Sequence, residues 1–204
     1  MPKITDMQIQ KKNKTRANVY LDGEFAFGLE MLTVMKLGLK IGQEISERQL
    51  AEAVFDSEKS VAFEKAVNYL SRSMKTVKQM REYLTEKGYA PDVVNNVVER
   101  LCELKYLNDE TYAKLYVEQN LSVKGERRLK QELQQKGISS ALREKYCVME
   151  NGVSHESAQK LADKYMKNKP TDLKTLQKLQ RYLVGRGYDF DVVNAIVKKY
   201  RFDE

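Results

Sequence analysis

The segment Leu129-Lys-Gln-Glu-Leu133-Gln-Gln-Lys-Gly137 is one of three related segments that decide the fold. Its counterparts run from Met80 to Gly88 and from Leu179 to Gly187, so the glycines lie 49 and 50 residues apart. A period of this length predicts a tandem array of supersecondary units that stack to bury their apolar faces. We expect an extended body without a single deep cleft, and such bodies usually bind other macromolecules.

Each period predicts three short helices. An Ala-x-x-Tyr pattern recurs upstream of the three segments, and in the first period the helices are expected at 61–72, 76–87 and 91–104. The third helix of the second period, near 141–149, has the weakest pattern. The glycine after each middle helix suits the left-handed cap position. The residues that carry the Ala-x-x-Tyr pattern are Ala66, Tyr69, Ala113, Tyr116, Ala162 and Tyr165.

The first 60 residues differ from the array. Asp22-Gly23 between alternating runs predicts a β-hairpin, with Ala17, Val19 and Leu21 on one face and Phe25, Phe27 and Leu29 sharing another. A strand at 4–9 can pair with the hairpin, and a short helix is expected at 31–37. Ser46 and Gln49 form a capping box that opens another helix, and Ser57 or Ser60 introduces the helix at 61–72.

The predicted fold class is therefore mainly α, with three tandem three-helix repeats behind a small α+β head that contains a β-hairpin. The predicted domains are the head at 1–59 and repeats at 60–108, 109–156 and 157–204.

Composition narrows the class of protein. The 204-residue chain is 42% hydrophobic and 32% charged, with a net charge of +7 and a pI of about 9.2, which favours polyanions or acidic protein faces as partners. Cys102 and Cys147 have no metal-binding spacing, and we expect both to be small buried hydrophobes. Neither a signal core nor a run of 18 apolar residues is present, which predicts a soluble, cytoplasmic protein.

Cations recur at matching positions of the middle helices. The apolar stripes of these helices face the core, so the cations are expected to face away from it. Stacking of the repeats could then align the cations into a basic stripe. A cation in the last helical turn is also favoured by the helix dipole, so a purely structural role stays open for the group at the helix ends. It also stays open for Arg127, Arg128 and Lys130, which are expected to crowd one turn. The candidates are Lys75, Lys124 and Lys174 near the helix starts, Lys78, Arg127, Arg128, Lys130 and Lys178 in the first turns, and Lys87, Lys136 and Arg186 at the ends.

Most of the excess positive charge lies in residues 157–204, so the last repeat is a candidate for contact with nucleic acid or an acidic groove, although a solvated face is an equal alternative. Tyr69, Tyr116 and Tyr165 share one position, which favours packing over base stacking. The chain contains no nucleotide-binding, hydrolase or metalloprotease motif, so no catalytic residue and no cofactor is expected.

Three segments resemble the RecX regulators of the RecA recombinase. Arg72-Ser73 with Leu84-Thr-Glu-Lys87-Gly88 resembles the R-x-S…L-x-x-K-G signature, and Tyr106-Leu-Asn-Asp109 with Ala113-Lys-Leu-Tyr116 resembles the joint that follows it. The second module, Gly125-Glu-Arg-Arg128-Leu129-Lys-Gln-Glu132-Leu133-Gln-Gln-Lys136-Gly137-Ile138, completes the resemblance from about residue 60 onward. The joint departs from the pattern at Lys105 and Asn108, and the third repeat matches more loosely.

The resemblance implies regulation without catalysis. RecX-like proteins bind in the groove of the RecA–DNA filament and limit its growth or stability, damping ATP hydrolysis, strand exchange and repressor cleavage. The expected partner is thus the RecA filament, with Arg72 and the middle-helix cations as the contact residues and the protein acting as a monomer. Direct binding of single- or double-stranded DNA, or a role as a generic helical-repeat adaptor, stays open. We also expect Arg127→Glu combined with Arg128→Glu to weaken inhibition with little change in thermal stability.

Overall fold

The computed structural model describes residues 1–11, 13–148 and 151–202, and its helices follow a small antiparallel sheet. The predicted fold class is confirmed. The strands are β1 (Ile4–Ile9), β2 (Arg16–Leu21) and β3 (Glu24–Glu30). The helices are α1 (Met31–Lys36), α2 (Glu47–Leu70), α3 (Val77–Glu86), α4 (Pro91–Glu103), α5 (Asp109–Asn120), α6 (Glu126–Gln135), α7 (Ser140–Cys147), α8 (Asn151–Met166), α9 (Leu173–Gly185) and α10 (Phe190–Phe202).

The chain divides into two compact units. The first comprises Met1–Met74 and Met80–Leu107. The second comprises Lys75–Gln79 and Asn108–Glu204, so the segment that contains the start of α3 belongs to it.

The sheet of the first unit has the order β1-β2-β3, as the hairpin and the strand at 4–9 predicted. Asp22 and Gly23 have φ angles of 50° and 92°, which is the geometry of a two-residue hairpin turn. Phe25 was predicted to share the face of Phe27, but it is 59% exposed. A β-bulge pairs Val19 with Phe27 and then Tyr20 with Phe25, and the extra residue turns Phe25 to the other face.

Helix α2 joins the head and the first repeat without a break. Its capping box is confirmed, since Ser46 Oγ accepts a hydrogen bond from the Gln49 backbone N–H at 3.3 Å. The prediction of a separate helix entered through Ser57 or Ser60 was wrong. Ser57 is buried mid-helix, where its hydroxyl donates to the Gly28 carbonyl at 2.5 Å and ties the helix to β3. The predicted boundary between residues 59 and 60 lies inside this helix.

The cores of the repeats follow the predicted register. Helix α3 lies within the segment predicted at 76–87, and α4 matches the helix expected at 91–104. Helix α7 covers the start of the segment predicted at 141–149, whose last residue lies outside the described part of the chain. The residues at the repeated apolar positions are all fully buried, namely Ala66, Met80, Leu84, Ala113, Leu129, Leu133, Ala162, Leu179 and Leu183.

The two cysteines lie in different environments. Cys147 is buried, as expected, and burial raises the pKa of its thiol to about 11. Cys102 was also expected to be buried, but it is exposed, because it follows the last buried residue of α4, Leu101. Within the described residues, no helix combines the length and the apolar character needed to cross a membrane.

Candidate partner-binding surface

In the second unit, the start of α6 contacts the turn that ends α9. The backbone N–H of Gly125 donates to the carbonyl of Arg186 at 3.0 Å, and that of Arg127 donates to the carbonyl of Gly187 at 3.3 Å. The first N–H groups and the last carbonyls of a helix lack partners within the helix, so each end satisfies the other. A Cβ atom at Gly125 would overlap the backbone of Gly187, which explains the glycine at this position.

The segment Lys75–Gln79 makes an equivalent contact with the turn that ends α6. Thr76 Oγ1 donates to the carbonyl of Lys136 at 2.7 Å, and Lys78 Nζ donates to the carbonyl of Gln135 at 3.0 Å. A Cβ atom at Gly137 would lie 2.5 Å from the Cβ of Lys78. Lys78, predicted to bind a partner, therefore stabilises a contact within the chain.

Two candidate cations of the second repeat bind the same carboxylate. Glu132 accepts hydrogen bonds from Lys124 Nζ and Arg128 Nε, both at 2.7 Å, and from the hydroxyl of Tyr116 at 2.5 Å. Partial burial by itself raises the pKa of Glu132, but these hydrogen bonds outweigh it and lower the pKa to about 2. Lys124 and Arg128 thus form a charged cluster with Glu132 and Tyr116, which we call the Glu132 cluster.

Lys130 also pairs within its own repeat, whereas Arg127 does not. Lys130 Nζ lies 2.8 Å from Glu126 and 2.6 Å from Glu144, and hydrogen bonds to these two carboxylates raise its pKa to about 12. The exposed side chain of Arg127 has neither a hydrogen bond nor an ion pair with any described residue. Of the three cations predicted to crowd one turn, only Arg127 is available to a partner without breaking an existing contact.

The cations at the ends of the middle helices lie over tyrosine rings. Lys87 Nζ is 5.5 Å from the ring centre of Tyr83, and Arg186 Cζ is 5.1 Å from that of Tyr182. Lys136 Nζ is 5.5 Å from the ring centre of Tyr116. Cations at these distances are attracted to the ring face. The geometry favours the structural alternative for Lys87, Lys136 and Arg186.

The remaining candidates lie at or before helix starts. Lys174 and Lys178 are exposed in the first turns of α9, close to Asp172. A hydrogen bond from the Thr175 backbone lowers the pKa of the Asp172 carboxyl, and the two lysines lower it further. Arg72 is exposed in the turn after α2, and Lys75 is half-buried. Neither residue belongs to the Glu132 cluster.

Family models match the chain in four successive parts. The Regulatory protein RecX N-terminal domain matches residues 2–46, and the first, second and third RecX three-helix domains match residues 62–101, 108–146 and 154–197. The chain belongs to the RecX family.

RecX relatives are similar over the whole chain. The Regulatory protein RecX of Clostridium perfringens (strain SM101 / Type A) is 34% identical over 209 residues, covering 100% of this chain and 99% of the relative. That of Bacillus subtilis (strain 168) is 32% identical over 208 residues, covering 100% of this chain and 79% of the relative. A crystal structure of regulatory protein RecX superposes with a TM-score of 0.75 at 28% identity, covering 97% of this chain and 100% of that one.

A crystal structure of RecX from Lactobacillus salivarius, with a TM-score of 0.63 and 24% identity over 71% of this chain and 97% of that one, supports the fold alone.

Sequence reasoning missed Glu132 as the centre of this surface. The residue was part of the RecX resemblance but was given no role, and Tyr116 was assigned to packing alone. The sequence contained a sign of this role, because Glu132 occupies the position that is Tyr83 in the first repeat and Tyr182 in the third. In those repeats the tyrosine stacks on a second tyrosine, with ring centres 4.0 Å and 4.9 Å apart. A carboxylate at this position recruits cations instead.

Proposed function

We propose that this protein regulates the RecA recombinase by binding in the groove of the RecA–DNA filament and limiting its growth or stability. The observation that carries the proposal is the match of four RecX domain models along the chain, together with full-length relatives named as regulatory proteins. Regulation of this kind needs no catalytic residue. A protein that binds one state of the filament more tightly than another shifts the balance between them, and ATP hydrolysis and strand exchange fall as a consequence.

Within the second unit, the free cations at the starts of the middle helices are the proposed contact residues. Arg127, Lys174 and Lys178 are exposed, and none of them is held by a hydrogen bond to a described carboxylate. Lys124, Arg128 and Lys130 are held by carboxylates of their own repeat, so binding through them would first break those ion pairs. We therefore assign the main electrostatic contact to Arg127.

The proposal is tested with RecA filaments assembled on single-stranded DNA. Adding the protein in amounts below one molecule per RecA should reduce ATP hydrolysis and shorten the filaments. The absence of any effect at a stoichiometric amount would refute the function.

The contact residue is tested in the same assay by charge reversal. Arg127→Glu should raise the concentration needed for half inhibition by roughly tenfold, equivalent to about 1.4 kcal/mol. Arg128 is left unchanged, because its ion pair with Glu132 means that the double substitution considered above would also perturb stability. Lys40→Glu is the matched control, since the Lys40 side chain is exposed in the first unit and pairs with no described carboxylate. Equal inhibition by the Arg127 and Lys40 variants would show that the contact lies elsewhere.

Direct binding to DNA is a second candidate function. The exposed Lys174 and Lys178, together with the net positive charge of residues 157–204, favour it. Phosphate contacts release counterions, so affinity for single-stranded DNA without RecA would fall steeply as salt rises from about 50 to about 200 mM. Affinity for the RecA filament that greatly exceeds affinity for bare DNA at the higher salt would rule out DNA as the main partner.

A further inference from the structure

The turn Lys87–Gly88, at the end of α3, lacks a contact that both of its counterparts make. Gly88, Gly137 and Gly187 have nearly the same φ angle, between 84° and 90°. An added Cβ at Gly137 would meet Lys78, and one at Gly187 would overlap Arg128. An added Cβ at Gly88 would meet nothing within 4 Å. The same turn is thus covered by a helix start in two repeats and is open in the first.

The open turn also presents backbone acceptors. The carbonyls of Lys136 and Arg186 accept hydrogen bonds from Thr76 and Gly125, respectively. The equivalent carbonyl of Lys87 accepts no hydrogen bond from any described residue. The last carbonyls of a helix carry a partial negative charge, so they attract N–H groups and cations at the start of another helix.

The two observed contacts specify what kind of segment fits. Each comes from the start of a helix, with a small or hydroxyl residue, Thr76 or Gly125, lying against the turn. Two positions later, the Lys78 side chain and the Arg127 backbone N–H each donate to a carbonyl at that helix end. We propose that the Lys87–Gly88 turn, here called the open cap, docks the start of an α-helix of this type from a partner protein. The proposal rests on the proposed function, in which that partner is a subunit of the RecA filament.

A second copy of this chain fits the open cap poorly. The helix starts at Thr76 and Gly125 of a second copy are already bound to turns of their own chain, which leaves the matching residue of the third repeat, Thr175. Helix α9 also begins at Leu173, before the position where α3 and α6 begin, and the Thr175 N–H is already bound by Asp172 at 2.7 Å. The third repeat therefore closes its own helix start, and the partner must be another protein.

A substitution at Gly88 can block docking, and the strain of a side chain at a positive φ angle is its cost within the chain. Asparagine tolerates a positive φ angle better than other non-glycine residues, and a side chain at Gly88 projects into open space. A docked helix would collide with it, as Lys78 would with a side chain at Gly137. Gly38→Asn is the matched control, because Gly38 also has a positive φ angle and nothing within 4 Å.

The first measurement uses a stapled helical peptide with the sequence of residues 125–135 as the probe and the isotope-labelled full chain as the target. The peptide should shift the backbone amide signals of Lys87 and Gly88, and Gly88→Asn should abolish the shift while Gly38→Asn retains it. Unchanged signals at the open cap at millimolar peptide would overturn the proposal whatever the function proves to be.

The second measurement separates the docking site from the function. In the RecA filament assay, Gly88→Asn should raise the half-inhibiting concentration by about tenfold or more, and Gly38→Asn should behave as the unsubstituted protein. If the unsubstituted protein and both variants inhibit equally, docking at the open cap is refuted and the function stands. If the unsubstituted protein does not inhibit, the function fails and RecA is excluded as the docked partner.

Discussion

Replacing Glu132 by glutamine should destabilise the second unit in a way that depends on pH. Glu132 is 16% exposed and accepts from Lys124, Arg128 and Tyr116, so its negative charge is favoured by the fold. Glutamine keeps the shape of the side chain but removes the charge. Lys124, itself only 21% exposed, then loses its counter-ion. A partly buried cation without a partner is costly.

The size of the effect follows from the lowered pKa. The pKa of Glu132 falls from 4.5 to about 2, and at 1.36 kcal/mol for each pKa unit the charge contributes at most about 3 kcal/mol. Arg128 is half exposed and its part is weakened by solvent, so we expect a loss of about 2 kcal/mol at pH 7.

The sign of the pH dependence is fixed. The contribution is complete above the unfolded pKa of 4.5 and disappears as the pH falls through the folded value near 2. The difference between the two proteins should therefore shrink by about 1 kcal/mol between pH 7 and pH 3.5.

Urea unfolding at the two pH values measures this difference. Because the chain has two compact units, hydrogen exchange of amides in α5 and α6 should identify the transition that belongs to the second unit. Glu103→Gln is the control, since Glu103 and its partner Arg100 are both more than half exposed, and it should cost less than about 0.5 kcal/mol. The reasoning is refuted if Glu132→Gln unfolds as the unsubstituted protein does at pH 7, or if the difference is the same at both pH values.

Three further outcomes are expected. Gly125→Ala should destabilise the second unit by about 2 kcal/mol or more in the same urea measurements, because the added Cβ overlaps the Gly187 backbone. Gly185→Ala is the control, since its added Cβ meets open space, and its free energy of unfolding should change by less than about 0.5 kcal/mol. Ser46→Ala removes half of the capping box of α2 and should cost the first unit about 1 kcal/mol in thermal unfolding, and an unchanged melting curve would contradict this. Iodoacetamide at pH 8 should label exposed Cys102 and spare buried Cys147, whose thiol pKa is about 11, and mass spectra showing equal labelling would disprove the burial argument.

The repeat register was predictable from the sequence because it rests on positions that are buried in every repeat. Met80, Leu129 and Leu179 are fully buried, and the second residue after each middle helix is a glycine with a positive φ angle. Burial and backbone geometry tolerate few residue types at these positions. The repeat is therefore detectable in the amino-acid sequence even though the surface residues of the three repeats differ.

The features that could not be predicted depend on contacts between distant segments. Ser57 has the residue type of a helix cap, but hydrogen bonds with β3 and Arg16 hold it inside a continuous helix. Phe25 is two residues from Phe27, a spacing that places both on one face of a regular strand, but a β-bulge of one residue turns Phe25 to the opposite face. Neither the hydrogen bonds of Ser57 nor the bulge in β3 produces a periodic pattern in the sequence, because each depends on the strand or helix that packs against it and not on the local sequence.

The candidate surface shows why charge counted along a sequence overstates what a partner can use. Lys124, Arg127 and Arg128 each count as one positive charge in the sequence. In the structure, Glu132 forms ion pairs of 2.7 Å with Lys124 and Arg128 but not with Arg127. Glu132, which stands in the place of the tyrosine of the other repeats, holds these two cations, whereas the Arg127 side chain is exposed. In the second repeat, the exposed Arg127 thus lies beside a cluster in which two cations share one carboxylate. In the proposed contact, binding therefore depends on the position of the Arg127 guanidinium more than on the total positive charge of the repeat.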